Sequence, residues 1–120
     1  MIYGIGNALL DYEYLVDEGT LDQLNIKKGT MLLNEFDQHT SIHDFLKKNH
    51  KSQKIMSGGS VANSIYTMAK FGNSVCFSGK VSDDDTGKRF IESIKGSGIY
   101  SDVKKIETKS SGECLVLITP

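Results

Sequence analysis

Apolar residues recur along this chain with two periods, and the change from one to the other marks its elements. Between 60 and 70, Val61, Ile65, Met68 and Ala69 fall three and four apart, which predicts an amphipathic helix with one stripe facing a core. Ser60 suits its N-cap, Lys70 the negative end of its dipole, and Gly72 the residue just past its end. The same period predicts helices over about 37–48, with Ile42, Phe45 and Leu46 inward, and over 87–95, with Phe90, Ile91 and Ile94 inward. Thr20-Leu21-Asp22-Gln23 fits a capping box and opens a shorter turn of helix, with Leu21 and Leu24 inward. Period two governs residues 11–17, where Tyr12, Tyr14 and Val16 share one face and acids the other, as in a half-solvated strand. Short apolar runs predict a buried strand at 2–7 and further strands at 30–34, from 55 into the glycine pair, at 75–78, 102–108 and 113–119.

Strand, helix, strand, helix from Ile55 onward implies βαβ units and a parallel sheet. The two early strands, with no long helix between them, form a small antiparallel piece of their own. Residues 114–118 are a continuous apolar run that ends two residues before the last one, Pro120. Such a strand left at a terminus is a hazardous open edge, so the expectation is the N-terminal part of a longer fold.

At 120 residues the chain makes at most one domain. A hydrophobic fraction of 38% and a charged fraction of 24% describe a soluble globular protein. With a net charge of −1 and no basic run longer than two residues, nothing draws it to nucleic acid or to an anionic membrane. Lys47, Lys48, Lys51 and Lys54 flank a solvated loop. No apolar stretch approaches membrane-spanning length, and residues 1–4 lack the charged start of a secretion signal. Cys76 and Cys114 sit in apolar strand runs as buried thiols, which fits a reducing, cytoplasmic setting.

Candidate chemistry centres on Ser57-Gly58-Gly59-Ser60-Val61-Ala62-Asn63. Two residues without a Cβ let another molecule approach the backbone, and the first-turn N–H groups of the following helix point out of its start. Asn63, near that mouth, carries a donor and an acceptor. The result is a small polar pocket suited to hydroxyls or an anion. The same residues would also make a tight strand-to-helix turn that binds nothing, and spacing does not separate the two. Asn7 and Asp11 leave the carboxyl end of the first strand, where open α/β sheets bind ligands. Asp11 is suited either to accept from a vicinal diol or to cap turn N–H groups. Gly4-x-Gly6 lacks the third glycine of a dinucleotide fingerprint, because Leu9 stands there, and a strand follows rather than a helix. His39 and His43 are four apart, but without an evident third ligand they are expected as two exposed histidines, and no metal site is assigned. Of Asp83-Asp84-Asp85, Asp85 or a neighbour is expected to cap the next helix rather than chelate a cation.

Taken together these stretches resemble the N-terminal part of the ribokinase-like sugar and nucleoside kinases, the PfkB family, with the adenosine-kinase-like branch nearest in flavour. Gly4-Ile5-Gly6-Asn7-Ala8-Leu9-Leu10-Asp11 resembles the family's first strand with its substrate-binding asparagine and aspartate, and 57–63 its di-glycine hinge. Gly79–Gly87 resembles the glycine- and aspartate-bearing stretch after the next strand, with Ser82 where glycine is usual, and 111–120 the strand before the nucleoside-kinase lid segment. The resemblance implies an α/β fold, the N-terminal part of a ribokinase-like αβα sandwich with a small β-sheet lid. Residues 1–120 would then be one partial domain, with lid strands near 11–17, 30–34 and 103–119. It implies transfer of the ATP γ-phosphate, with Mg2+, to a hydroxymethyl group of a sugar or nucleoside. Asp11 would hold ribose hydroxyls, Asn7 would shape that end of the pocket, Gly58 and Gly59 would let a lid hinge, and Ser60 and Asn63 would add hydrogen bonds. The family's Gly-Ala-Gly-Asp catalytic motif is not in this chain, so no catalytic residue is assigned and the chain alone is expected to be inactive. The alternative is a non-catalytic sugar- or nucleoside-binding module. A homodimer through the lid strands fits either reading.

Overall fold

The computed structural model describes residues 1–108 and 110–120. In chain order the elements are β1 (Ile2–Ile5), β2 (Leu9–Leu15), α1 (Glu18–Gln23), α2 (Phe36–Asn49), β3 (Ser52–Gly58), α3 (Ser60–Lys70), β4 (Val75–Ser82), α4 (Asp85–Gly96), β5 (Tyr100–Ile106) and β6 (Gly112–Ile118). Two three-stranded sheets form, ordered β1-β4-β5 and β3-β2-β6. The chain divides into two compact units, residues 1–11 with 55–114 and residues 12–54 with 115–120.

The first unit holds the parallel sheet. β1 pairs with β4 from Ile2 opposite Val75 to Ile5 opposite Ser78, and β4 pairs with β5 from Cys76 opposite Tyr100 to Ser82 opposite Ile106. Gly4 lets α3 settle onto β1, since a β-carbon there would lie 2.6 Å from Ile65 Cγ1. The core gathers Val75, Phe77 and Val81 of β4 with Ile65 of α3 and Phe90 and Ile94 of α4. Phe77 and Phe90 stack at a tilt, their ring centroids 5.5 Å apart, and burying each such ring is worth about 1.5–3 kcal/mol. α3 ends as its glycine predicts. Gly72 has φ 82°, Gly72 N–H donates to the Ala69 carbonyl and Asn73 N–H to the Met68 carbonyl, a Schellman closure.

In the second unit Tyr12, Tyr14 and Val16 form the buried face expected of β2. α1 starts earlier than the capping box implied. Asp17 is its N-cap, accepting from the Thr20 N–H at 2.7 Å and the Thr20 hydroxyl at 2.8 Å, so Thr20 lies buried inside the helix. Asn25, with φ 53°, takes the glycine-like position after α1. α2 buries Leu46 and His43, with Ile42 and Phe45 only half-buried.

Several expectations are corrected. Residues 30–34 form no strand: they are irregular, with Met31 89% and Leu33 96% exposed, because no strand among the described residues pairs with them. β1 is not a buried strand. It is a sheet edge with Ile2, Tyr3 and Ile5 exposed. β3 joins β2 rather than the parallel sheet, and β1 takes the place expected of it. Of the strands expected together near 103–119, β5 belongs to the parallel sheet and β6 to the sheet with β2 and β3. β4 runs past the expected end at Ser78, through Gly79 to Ser82. In α3 Gly59, not Ser60, is the N-cap, and Ala62 is buried where Met68 is 36% exposed. His43 is not an exposed histidine: it is 3% exposed, its Nε2 lies 3.1 Å from the Tyr14 hydroxyl, and the Tyr12 ring packs on it edge-on at 4.5 Å.

Candidate functional site

The site is built where β3 gives way to α3, all of it in the first unit. β3 ends at Gly58, whose bare α-carbon faces the half-buried Asp11 carboxylate so closely that a β-carbon would overlap it. Gly59 turns the chain at φ 98°, a conformation that favours glycine. Its own β-carbon would lie 2.7 Å from the Asn7 carbonyl oxygen. Both glycines are therefore required, Gly58 for space and Gly59 for space and backbone angle. Distant parts of the sequence meet here because the segment after β1 carries Asn7, and the start of β2 carries Asp11, to the same point.

α3 begins immediately after this contact. Its N-cap, Gly59, has no side chain of its own to offer the opening N–H groups, which point out of the helix start. Ser60 is its first residue and is exposed, its carbonyl accepting from the Ser64 hydroxyl at 2.9 Å. Asn63, also exposed, donates its N–H to the Gly59 carbonyl at 2.9 Å and closes the first turn. The structure thus brings Asn7, Asp11, Gly58 and Gly59 into contact, and Ser60 and Asn63 follow on the adjoining turn. A carboxylate beside two bare backbone positions at a helix start offers acceptors and close approach to a molecule rich in hydroxyls.

Sequence reasoning missed the support around this point. Cys114 belongs to it: burial pushes its thiol above the usual range, and the Asp11 charge adds to that. Gly112 has the Leu9 side chain 2.5 Å and the Ala8 carbonyl 3.0 Å from where a β-carbon would stand, so β6 begins hard against the start of β2. Ser111 is held by Asp84, whose carboxylate accepts from the Ser111 N–H at 2.8 Å, the Ser111 hydroxyl at 2.7 Å and the Gly87 N–H at 2.7 Å. Partial burial pushes the Asp84 carboxyl up, yet the hydrogen bonds from Ser111 and Gly87 together outweigh it and hold it below its ordinary value. No local signal announces these partners, which lie 27 residues apart.

The three consecutive aspartates are each engaged by protein groups. Asp84 caps α4, Asp83 pairs with Lys105 at 2.7 Å, and Asp85 pairs with Arg89 at 2.8 Å. Both cysteines are free thiols. No helix among the described residues is long and apolar enough to cross a membrane.

Comparison with known proteins agrees with this architecture. Adenosine kinase 1 of Arabidopsis thaliana is 27% identical over 98% of this chain and 35% of its own length. The 5-dehydro-2-deoxygluconokinase of Clostridium perfringens is 40% identical over 65% of this chain and 22% of its own. Among solved structures, Anopheles gambiae adenosine kinase superposes with a TM-score of 0.87 at 25% identity, covering all of this chain and 38% of that one. Trypanosoma brucei brucei adenosine kinase gives 0.84 at 29% identity, over 98% and 36%. The chain spans about a third of the length of these adenosine kinases and matches about a fifth of the deoxygluconokinase, and its fold is that of the N-terminal part of the adenosine-kinase, ribokinase-like architecture. The pfkB family of carbohydrate kinases matches residues 24–120, most of the chain, and this chain belongs to that family.

Proposed function

We propose that this chain supplies the acceptor-binding side of an ATP-dependent kinase that phosphorylates a primary hydroxyl of a sugar or nucleoside. The observation that carries the reading is the seating of the Asp11 carboxylate against the bare α-carbon of Gly58, beside the Gly59 turn. A carboxylate so placed accepts from two neighbouring hydroxyls, and glycine backbone admits the sugar ring close enough for both bonds. Asn7, Ser60 and Asn63 add hydrogen bonds around it. These contacts orient the acceptor, and orientation accounts for a large part of phosphoryl-transfer catalysis. The relatives named for adenosine and for a deoxygluconate derivative keep both acceptor classes in view.

In such a reaction ATP would supply the transferred phosphoryl group and magnesium would neutralise its charge. The donors present here do not fit their site, since Asp83, Asp84 and Asp85 are committed to Lys105, Ser111 and Arg89. The chain by itself binds acceptor and does not turn over. Two free thiols suit a cytoplasmic setting. A homodimer through the β3-β2-β6 sheet belongs to the same proposal and would give twice the 13.2 kDa chain mass in sedimentation equilibrium.

Calorimetric titration with adenosine and with ribose, on the wild type and on Asp11→Ala, tests the reading. Saturable binding that weakens by at least about tenfold in the variant is expected, the worth of hydrogen bonds to a charged group. Equal binding by both proteins would overturn it.

A further inference from the structure

The strand that delivers Gly58 to Asp11 is held from its other side by one hydroxyl of α4. Side chains alternate across a strand, so Ser57 and Gly58 face opposite ways at the end of β3. Gly58 faces Asp11. Ser57 meets Ser93, in the third turn of α4. The Ser93 hydroxyl donates to the Ser57 hydroxyl at 3.0 Å and accepts the Ser57 backbone N–H at 3.3 Å. One side chain therefore engages both the backbone and the side chain of a single residue, which fixes the strand's rotation as well as its position.

The contact is local and specific. Ser93 is half-buried between Glu92, which is exposed, and Ile94, which is 1% exposed and part of the core. α4 is itself anchored at its start by Asp84 and along its length by Phe90 and Ile94. Ser93 thus projects from a rigid support onto the last residue before the di-glycine turn. Across the strand, the Asp11 carboxylate and the Asn7 carbonyl leave no room for a β-carbon at Gly58 or Gly59. The end of β3 is clamped between a hydroxyl on one side and the candidate binding groups on the other.

We infer that Ser93 is a positioning residue for the acceptor site: through Ser57 it sets how deeply Gly58 presses on the Asp11 carboxylate, and so where that carboxylate meets ligand hydroxyls. This rests on the acceptor-binding reading above. Ser93 touches no ligand in this scheme. Removing its hydroxyl lets the β3 end back away from Asp11, and the carboxylate moves into the released space.

Two readouts test this in the full chain. The first is calorimetric affinity for adenosine and ribose in Ser93→Ala, Ser57→Ala, the double variant and Ser93→Thr. Each alanine variant should lose about three- to tenfold in affinity, the worth of one hydrogen bond. The double variant should lose no more than Ser93→Ala, which already breaks both bonds, and Ser93→Thr, which keeps the hydroxyl, should bind as the wild type does. The second readout needs no ligand. The Cys114 thiol feels the Asp11 charge, so the pH dependence of its alkylation, in a Cys76→Ala background, reports where Asp11 sits. As the carboxylate retreats, the Cys114 titration should move down toward that of an ordinary thiol in Ser93→Ala and stay in place in Ser93→Thr.

A merely structural serine would lower the melting temperature and leave affinity and the Cys114 titration where they are, and that result overturns the inference. Additive losses in the double variant also overturn it. Should the wild type bind neither adenosine nor ribose, the acceptor reading fails by itself. The alkylation profile then decides the Ser93–Ser57 coupling alone, a shift supporting it and an unmoved profile overturning it.

Discussion

The two compact units bury different chemistry. In the parallel-sheet unit the core is dry: Val75, Phe77, Phe90 and Ile94 are at most 1% exposed and carry no polar atoms in their side chains. In the other unit polar-tipped rings are buried beside Leu46 and Leu21, with the Tyr14 hydroxyl 3.1 Å from His43 Nε2 and Tyr12 packed edge-on against the same imidazole. A dry core depends on volume, and its sensitivity is to lost atoms. A core of hydroxyl and imidazole groups depends on each polar atom keeping its partner, because an unpaired one in low dielectric is costly. The candidate site lies in the unit whose hydrophobic core is apolar, with the Asp84–Ser111 hydrogen bonds as a polar support beside it.

The comparison is sharpened first by Phe90→Ala. It should destabilise the chain by about 3–5 kcal/mol, seen as a lower urea midpoint, because the cavity left beside Phe77 cannot close fully. A loss below about 1 kcal/mol would mean that the parallel-sheet core is not tightly packed. Asp84→Ala should follow at about 2 kcal/mol, combining a lost helix cap with an orphaned Ser111. Its pH dependence has a definite sign. Hydrogen bonding holds the folded Asp84 carboxyl below its ordinary value of 3.8. Its contribution is therefore complete above that ordinary value and is lost as pH falls through the lower, folded one. Wild type and Asp84→Ala should converge in stability in strong acid and diverge above about pH 5. The smallest effect is expected from Tyr14→Phe, at about 1 kcal/mol, since it removes one hydrogen bond from buried His43 without changing volume much. If that change were neutral while Phe90→Ala was severe, the second core would owe its stability to ring packing rather than to its polar partners.

The site was partly legible in the sequence. Gly58 and Gly59 stood out as backbone that must lie bare, and Asn7 and Asp11 as polar residues leaving a strand, and the four do meet. What brought them to notice was a residue type placed at an element's end. Ser57, Ser93, Ser111 and Asp84 offered no such sign. A serine on a helix carries the same local pattern whether it faces water or a strand 36 residues away. The helix starts show the same limit on a smaller scale: Asp17 and Gly59, not Thr20 and Ser60, are the caps, because several neighbouring residues could serve and the packing chose among them.

The amphipathic spacing of α2, α3 and α4, the closing glycine of α3 and the buried face of β2 were determined by the chain alone, since each depends on residues within a few positions of one another. Pairing was not. Met31 and Leu33 read as strand yet lie exposed, β1 became an edge, and β3 left the parallel sheet for β2. A strand is completed by hydrogen bonds to another strand, and which partner it finds is a property of the whole packed chain rather than of its own residues. The same reason places Asp11 against Gly58: two short segments, each unremarkable alone, are made into a site by the tertiary structure that closes the distance between them.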